Sequence, residues 1–115
     1  MRIADLAKQI GAQILTHAPK AAWVDVSGAI AGEKMSDLLN RTTPTTFVLS
    51  GLANPHLLRM AELLDAPGIC LVCGVVPDAD LIEAAREHGK VLMVTAATLD
   101  EVGRFLPAGF VQTEG

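Results

Sequence analysis

Tyrosine is absent from this 115-residue sequence, and only four aromatic residues occur in it: Trp23, Phe47, Phe105 and Phe110. Basic charge is also scarce, with nine Lys and Arg against thirteen Asp and Glu. Neither the basic stripe nor the stacking platforms of a nucleic-acid surface can be built from these residues. No apolar run approaches the ~20 residues that span a bilayer. The longest, Ile69 to Val76, has the length of a strand. The opening MRIADLAKQIGAQIL is interrupted by charge every few positions and lacks the apolar core of a signal peptide. These absences lead us to expect a cytoplasmic protein with neither a membrane nor a nucleic acid as partner. Only two cysteines are present, Cys70 and Cys73, too few for a disulfide framework.

Half of the residues are hydrophobic and 19% are charged, a balance that folds rather than stays disordered. A chain this short is expected to form one domain, residues 1–115, burying roughly two-thirds of its unfolded surface. Its aliphatic runs recur evenly. Phe47, Ile69 and Val91 stand at equal intervals and open three of them, Thr46–Ser50, Ile69–Cys73 and Val91–Thr95. Each precedes a helical stripe: Leu57, Leu58, Ala61 and Leu64; Leu81, Ile82 and Ala85; Leu99, Val102, Phe105 and Leu106. Continuous apolar runs mark strands covered on both faces. The expectation is an α/β fold of three layers, a mainly parallel sheet with helices on each side. Helix starts agree: Asn54-Pro55, Pro77-Asp78 and the capping box Thr98-Leu-Asp-Glu101. The N-terminal third reads as a short helix stopped at Gly11, a brief run Ala12–Leu15, a loop at Ala18–Lys20 and a strand Trp23–Ser27. A helix around Met35–Leu39 and a linker Thr42–Thr46 follow.

Chemistry is thinly represented. Gly28-Ala-Ile-Ala-Gly32-Glu-Lys34-Met-Ser36 superficially follows a phosphate-binding pattern, but three residues separate its glycines and Glu33 precedes Lys34. A tight strand-to-helix turn is the simpler reading. A phosphotransferase or nucleotide-binding enzyme using this turn is the alternative. Cys70 and Cys73 fall within an expected buried strand and read as core, since neither stands at a helix start and no second pair completes a zinc site. His17, His56 and His88 show no metal-ligand spacing, and no Gly-x-Ser-x-Gly elbow surrounds Ser27 or Ser50. No catalytic residue, metal or cofactor is assigned. Ligands of open parallel sheets settle outside the strand carboxyl ends. The candidates there are Ser27, Gly28, Gly32, Ser50, Gly51, Asn54, His56, Gly74 and Thr95.

The stretch from Leu71 through Gly74, Pro77-Asp78, the helix to Gly89 and the run to Thr95 resembles the DRTGG domain family. So do Ile3-Ala-Asp-Leu-Ala followed by Gly11, Ala29–Leu39 with Met35-Ser-Asp-Leu-Leu39, and the closing Thr98–Gly109 segment, in that order. The likeness extends over nearly the whole chain, although the literal Asp-Arg-Thr-Gly-Gly string is absent. The chain is similar in particular to small stand-alone bacterial DRTGG proteins. The resemblance implies an α/β domain related to the N-terminal, non-catalytic part of HPr kinase/phosphorylase, with a regulatory or dimerising role. It further implies a homo-oligomer, a dimer, that takes a small-molecule or nucleotide ligand or a protein partner. The resemblance does not imply kinase activity, because in those enzymes the phosphate-binding loop belongs to a different part of the protein.

Overall fold

The structure, a computed structural model, describes residues 1–16, 24–32 and 34–113. The elements run α1 (Ile3–Ile10), β1 (Gln13–Ile14), β2 (Gly28–Ala31), α2 (Met35–Arg41), β3 (Thr46–Ser50) and α3 (Pro55–Leu63). β4 (Gly68–Leu71), α4 (Ala79–Glu87), β5 (Val91–Val94), α5 (Leu99–Phe105) and β6 (Val111–Thr113) follow. The six strands form one sheet in the order β1-β5-β4-β3-β2-β6. Every pairing is parallel except that of β1 with β5.

Alternation along the strands builds two cores. Ala29, Phe47, Leu49, Cys70, Val91 and Met93 face α1 and α5, burying Ile3, Leu6, Ile10 and Val102. Ile30, Val48, Ile69, Leu71 and Leu92 face the other way, against Leu38 of α2, Leu57 and Ala61 of α3 and Leu81 and Ala85 of α4. The expected three-layer α/β architecture is the one observed. The side each helix takes follows from the chain's travel across the sheet. From β2 to β5 the chain steps in one direction, so right-handed crossovers put α2, α3 and α4 on one face. The connection from β5 to β6 runs back across the whole sheet, and α5 accordingly lies on the other.

Four local expectations are corrected. The strand expected at Trp23–Ser27 lies instead at Gly28–Ala31; Asp25 makes only an isolated bridge to Arg2, while Trp23 falls outside the described residues. The pattern Gly-Ala-Ile-Ala suits the sheet interior because β2 is wedged between β3 and β6, where small residues admit close neighbours. Thr42–Thr46 is a hydrogen-bonded turn rather than a linker: the Thr43 amide donates to Thr46 Oγ1 at 2.8 Å, and Ser27 Oγ donates to Thr45 Oγ1 at 3.0 Å. Val111–Thr113 adds an edge strand where none was expected. β4 ends at Leu71, short of the expected Cys73. The segment Ala18–Lys20 lies outside the described residues, as do His17 and Glu33.

Helix ends behave as read. Asn54 Oδ1 accepts from the His56 amide at 2.9 Å, and Asp78 Oδ1 accepts from the Leu81 amide at 2.8 Å. The Thr98–Glu101 capping box closes in both directions, at 3.2 and 3.1 Å. Thr98→Ala should therefore cost about 1 kcal/mol of stability in urea titration. A midpoint indistinguishable from that of the parent protein would show the box to be idle. Among the described residues no helix is long and apolar enough to cross a membrane.

Candidate functional site

The carboxyl ends of β4 and β5 are where the sheet changes direction. The chain leaves β4 for α4 on one face and leaves β5 for α5 on the other, so the two connections part and open a crevice. A cleft of about 500 Å³ occupies this point. Val75, Val76, Pro77 and Ile82 of the β4–α4 connection and α4 form one wall. Val94, Thr95 and Ala96 form the floor, and Gly11, Gln13 and Leu15 around β1 form the far side. Packing explains why it is open. On this face α2, α3 and α4 cover the strands from β2 to β5, and no further helix among the described residues covers β1. Leu15, Val94 and Ile82 therefore stay only partly buried.

The cleft is held rigidly. After Val72 the chain turns sharply through Cys73 and Gly74, with φ of 60° and 71°, and the Val75 amide closes the turn on the Val72 carbonyl at 3.3 Å. Left-handed backbone suits Gly74 and is uncommon at a cysteine. The turn holds because the Cys73 amide donates to the Ala97 carbonyl at 2.8 Å and the Gly74 amide to the Thr95 carbonyl at 3.0 Å. Thr95 extends the scaffold: its buried hydroxyl donates to the Ile10 carbonyl at 2.9 Å and accepts from the Ala97 amide at 3.2 Å. One hydroxyl thus ties the end of α1, the end of β5 and the loop to α5. Thr95→Val keeps the shape and orphans both backbone partners. We expect a loss of about 2 kcal/mol, read by thermal unfolding; an unchanged midpoint would show that the scaffold does not need this bond.

Of the residues singled out in the sequence, Gly74 and Thr95 line the cleft. Ser50, Gly51, Asn54 and His56 sit at the same edge of the sheet but beyond β4. Ser50 is fully buried with its hydroxyl accepting from the Leu52 amide, and Asn54 is spent on capping; His56 is exposed. Gly32 follows β2, also at the carboxyl edge, and is buried. Ser27 and Gly28 lie at the amino end of β2, the opposite edge, which corrects the expectation that they end a strand. The glycine turns therefore do not converge on one cleft. Gln13, Leu15, Val75, Val76, Ile82 and Ala96 were not anticipated. The signal was present in the run Ile69–Val76, which continues past the strand into a connection, where Val76 remains 83% exposed.

The two cysteines separate. Cys70 is core as expected, and burial pushes its thiol up to about 12. Cys73 is exposed in the turn rather than inside a strand, which corrects its reading as core. Native protein should react with one equivalent of a disulfide reagent at Cys73, and with two only after unfolding. Two fast equivalents, or none, would contradict this arrangement. No group of three or more His, Cys, Asp or Glu side chains able to hold a metal occurs among the described residues.

An open, mainly parallel α/β sheet with a cleft at its topological switch point defines the class. No family model matches the chain, and no curated protein matches its sequence. Among solved structures, it is similar to the CBS and DRTGG domains of the regulatory region of Clostridium perfringens pyrophosphatase, determined with the activator diadenosine tetraphosphate. The TM-score is 0.74 at 14% identity, over 98% of this chain and 50% of that one. This chain thus spans about half the length of that structure, and the two share a fold.

Proposed function

We propose that the chain is a non-catalytic regulatory domain of the DRTGG type, one domain over residues 1–115, acting in the cytoplasm as a homodimer. It is related in this reading to the N-terminal part of HPr kinase/phosphorylase. Its ligand or partner contacts the cleft at the carboxyl ends of β4 and β5, with Gly74 and the Thr95–Ala96 backbone at its floor. The observation that carries the reading is the coincidence of the cleft with the switch point, the place where this architecture binds ligands. The similarity in fold to half of a regulatory region supports the regulatory role. The phosphotransferase alternative, placed on Gly28–Ser36, is less well supported, because Gly28–Ala31 is a sheet strand and leaves only the short connection to Met35 for a phosphate loop.

Three measurements test it. Protein incubated with ATP or acetyl phosphate and Mg²⁺ should neither release nor take up phosphate; turnover would overturn the non-catalytic reading. Light scattering at micromolar concentration should give twice the chain mass, and the mass of a single chain would remove the dimer. Amide spectra recorded against a panel of small metabolites should move Gly74, Val75, Val76 and Ala96 first. Responses confined to other residues would displace the site from the cleft.

A further inference from the structure

Among the described residues, those lining the switch-point cleft include no charged side chain. The polar side chains there are Gln13 and Thr95, and the Thr95 hydroxyl is already committed to Ile10 and Ala97. The Gln13 carboxamide is exposed on the edge strand and able both to donate and to accept. The helix beside the cleft begins with negative charge. At the start of α4 the Asp78 carboxylate already accepts from the Leu81 amide, and Asp80 adds a second negative charge in the first turn. A phosphate or carboxylate entering here would find no cation in the described lining and would lie beside a helix that starts with Asp78 and Asp80, in a protein of net charge −4. The lining supplies Leu15, Val75, Ile82 and Val94, and apolar lining with a few polar points is what small neutral ligands need.

We propose that this cleft selects an uncharged ligand that joins an apolar ring or branched aliphatic body to one amide-like hydrogen-bonding group, held by the Gln13 carboxamide, and that it rejects phosphorylated and carboxylated compounds. The proposal rests on the cleft being the ligand site and specifies what that site accepts. The apolar body displaces water from Leu15, Val94 and Ile82. The amide group exchanges its water partners for Gln13, and a charged group in the same place loses hydration without gaining a counter-ion.

Benzamide and benzoate share a shape and differ in charge, so they test this directly. Titrated at millimolar concentration into isotopically labelled protein, benzamide should shift the amides of Gly74, Val75, Val76, Ile82 and Ala96. Benzoate should do so about tenfold more weakly or not at all. Gln13→Leu, at an exposed position, should weaken benzamide about fivefold, the equivalent of one hydrogen bond, while the rest of the spectrum is retained. Ala96→Lys should reverse the preference and let benzoate bind. If benzoate moves the same amides as strongly as benzamide, the neutral specificity is wrong and the cleft remains the site. If neither compound moves them at saturation, both fall.

Discussion

Phe47→Ala is expected to remove about 4 kcal/mol of stability and to lower the unfolding midpoint by about 15 °C. Phe47 is fully buried as the second residue of β3, a strand third in from one edge of the sheet. Its ring lies over small neighbours: Ala29 is its partner on β2, and a Cβ built on Gly68 would come within 2.8 Å of its Cε2. Small residues around one large one mean that the ring fills space nobody else can reach. Its neighbours within the sheet are the backbones of interior strands, held by ladder hydrogen bonds on both sides, so the cavity cannot close from that side. That places the loss high in the usual range for this substitution. Among the other aromatic residues, Phe105 is half exposed and Phe110 only partly buried, so neither can compensate. Urea and thermal unfolding of the variant measure the effect. A loss less than half as large would show that β3 relaxes into the gap.

The elements around Phe47 were the legible ones. Thr46–Ser50 matches β3, and Val91–Thr95 overlaps β5 to within a residue, because strands covered on both faces must be apolar at every position. The helices that follow them were equally plain, since their caps use side-chain chemistry that a sequence displays. What stayed hidden depends on neighbours distant in the chain. Gly28-Ala-Ile-Ala reads as a turn by composition, and it becomes a strand because β6, from the far end of the sequence, pairs with it. Val111–Thr113 is too short to announce itself without that partner. The cleft was hidden for a related reason. It joins Gln13 to Val94 through an antiparallel pairing, and nothing local says that β1 docks there. Thr16 makes the docking specific: its hydroxyl donates to the Lys90 carbonyl and accepts from the Leu92 amide, both at 3.0 Å. Long-range pairing decides the site, and a single sequence records it only as an apolar overshoot at Val75 and Val76.

Gly68→Ala should cost about 3 kcal/mol, or about 10 °C, although it adds a single methyl group. Gly68 opens β4 and pairs with Val91, and its amino-terminal neighbour Pro67 accepts from the Val91 amide at 3.1 Å. A Cβ at position 68 would overlap the Val91 carbonyl oxygen and lie 2.9 Å from the Val91 Cβ as well as against the Phe47 ring. A ring can rotate away; a carbonyl oxygen fixed in a central strand cannot. The double variant Gly68→Ala with Phe47→Leu separates the two obstacles. If the ring were the main one, shortening it would return most of the lost stability as a favourable coupling. The backbone contact predicts that most of the loss remains, with strands β4 and β5 forced apart at their amino ends. The cleft lies at the other end of the same two strands, secured by the bonds from Cys73 and Gly74 to the loop after β5. The folded fraction of Gly68→Ala should therefore still bind benzamide with unchanged affinity. A parallel loss of binding would mean that the spacing of β4 and β5 is set along their whole length, and that the cleft senses strain at the far edge of the sheet.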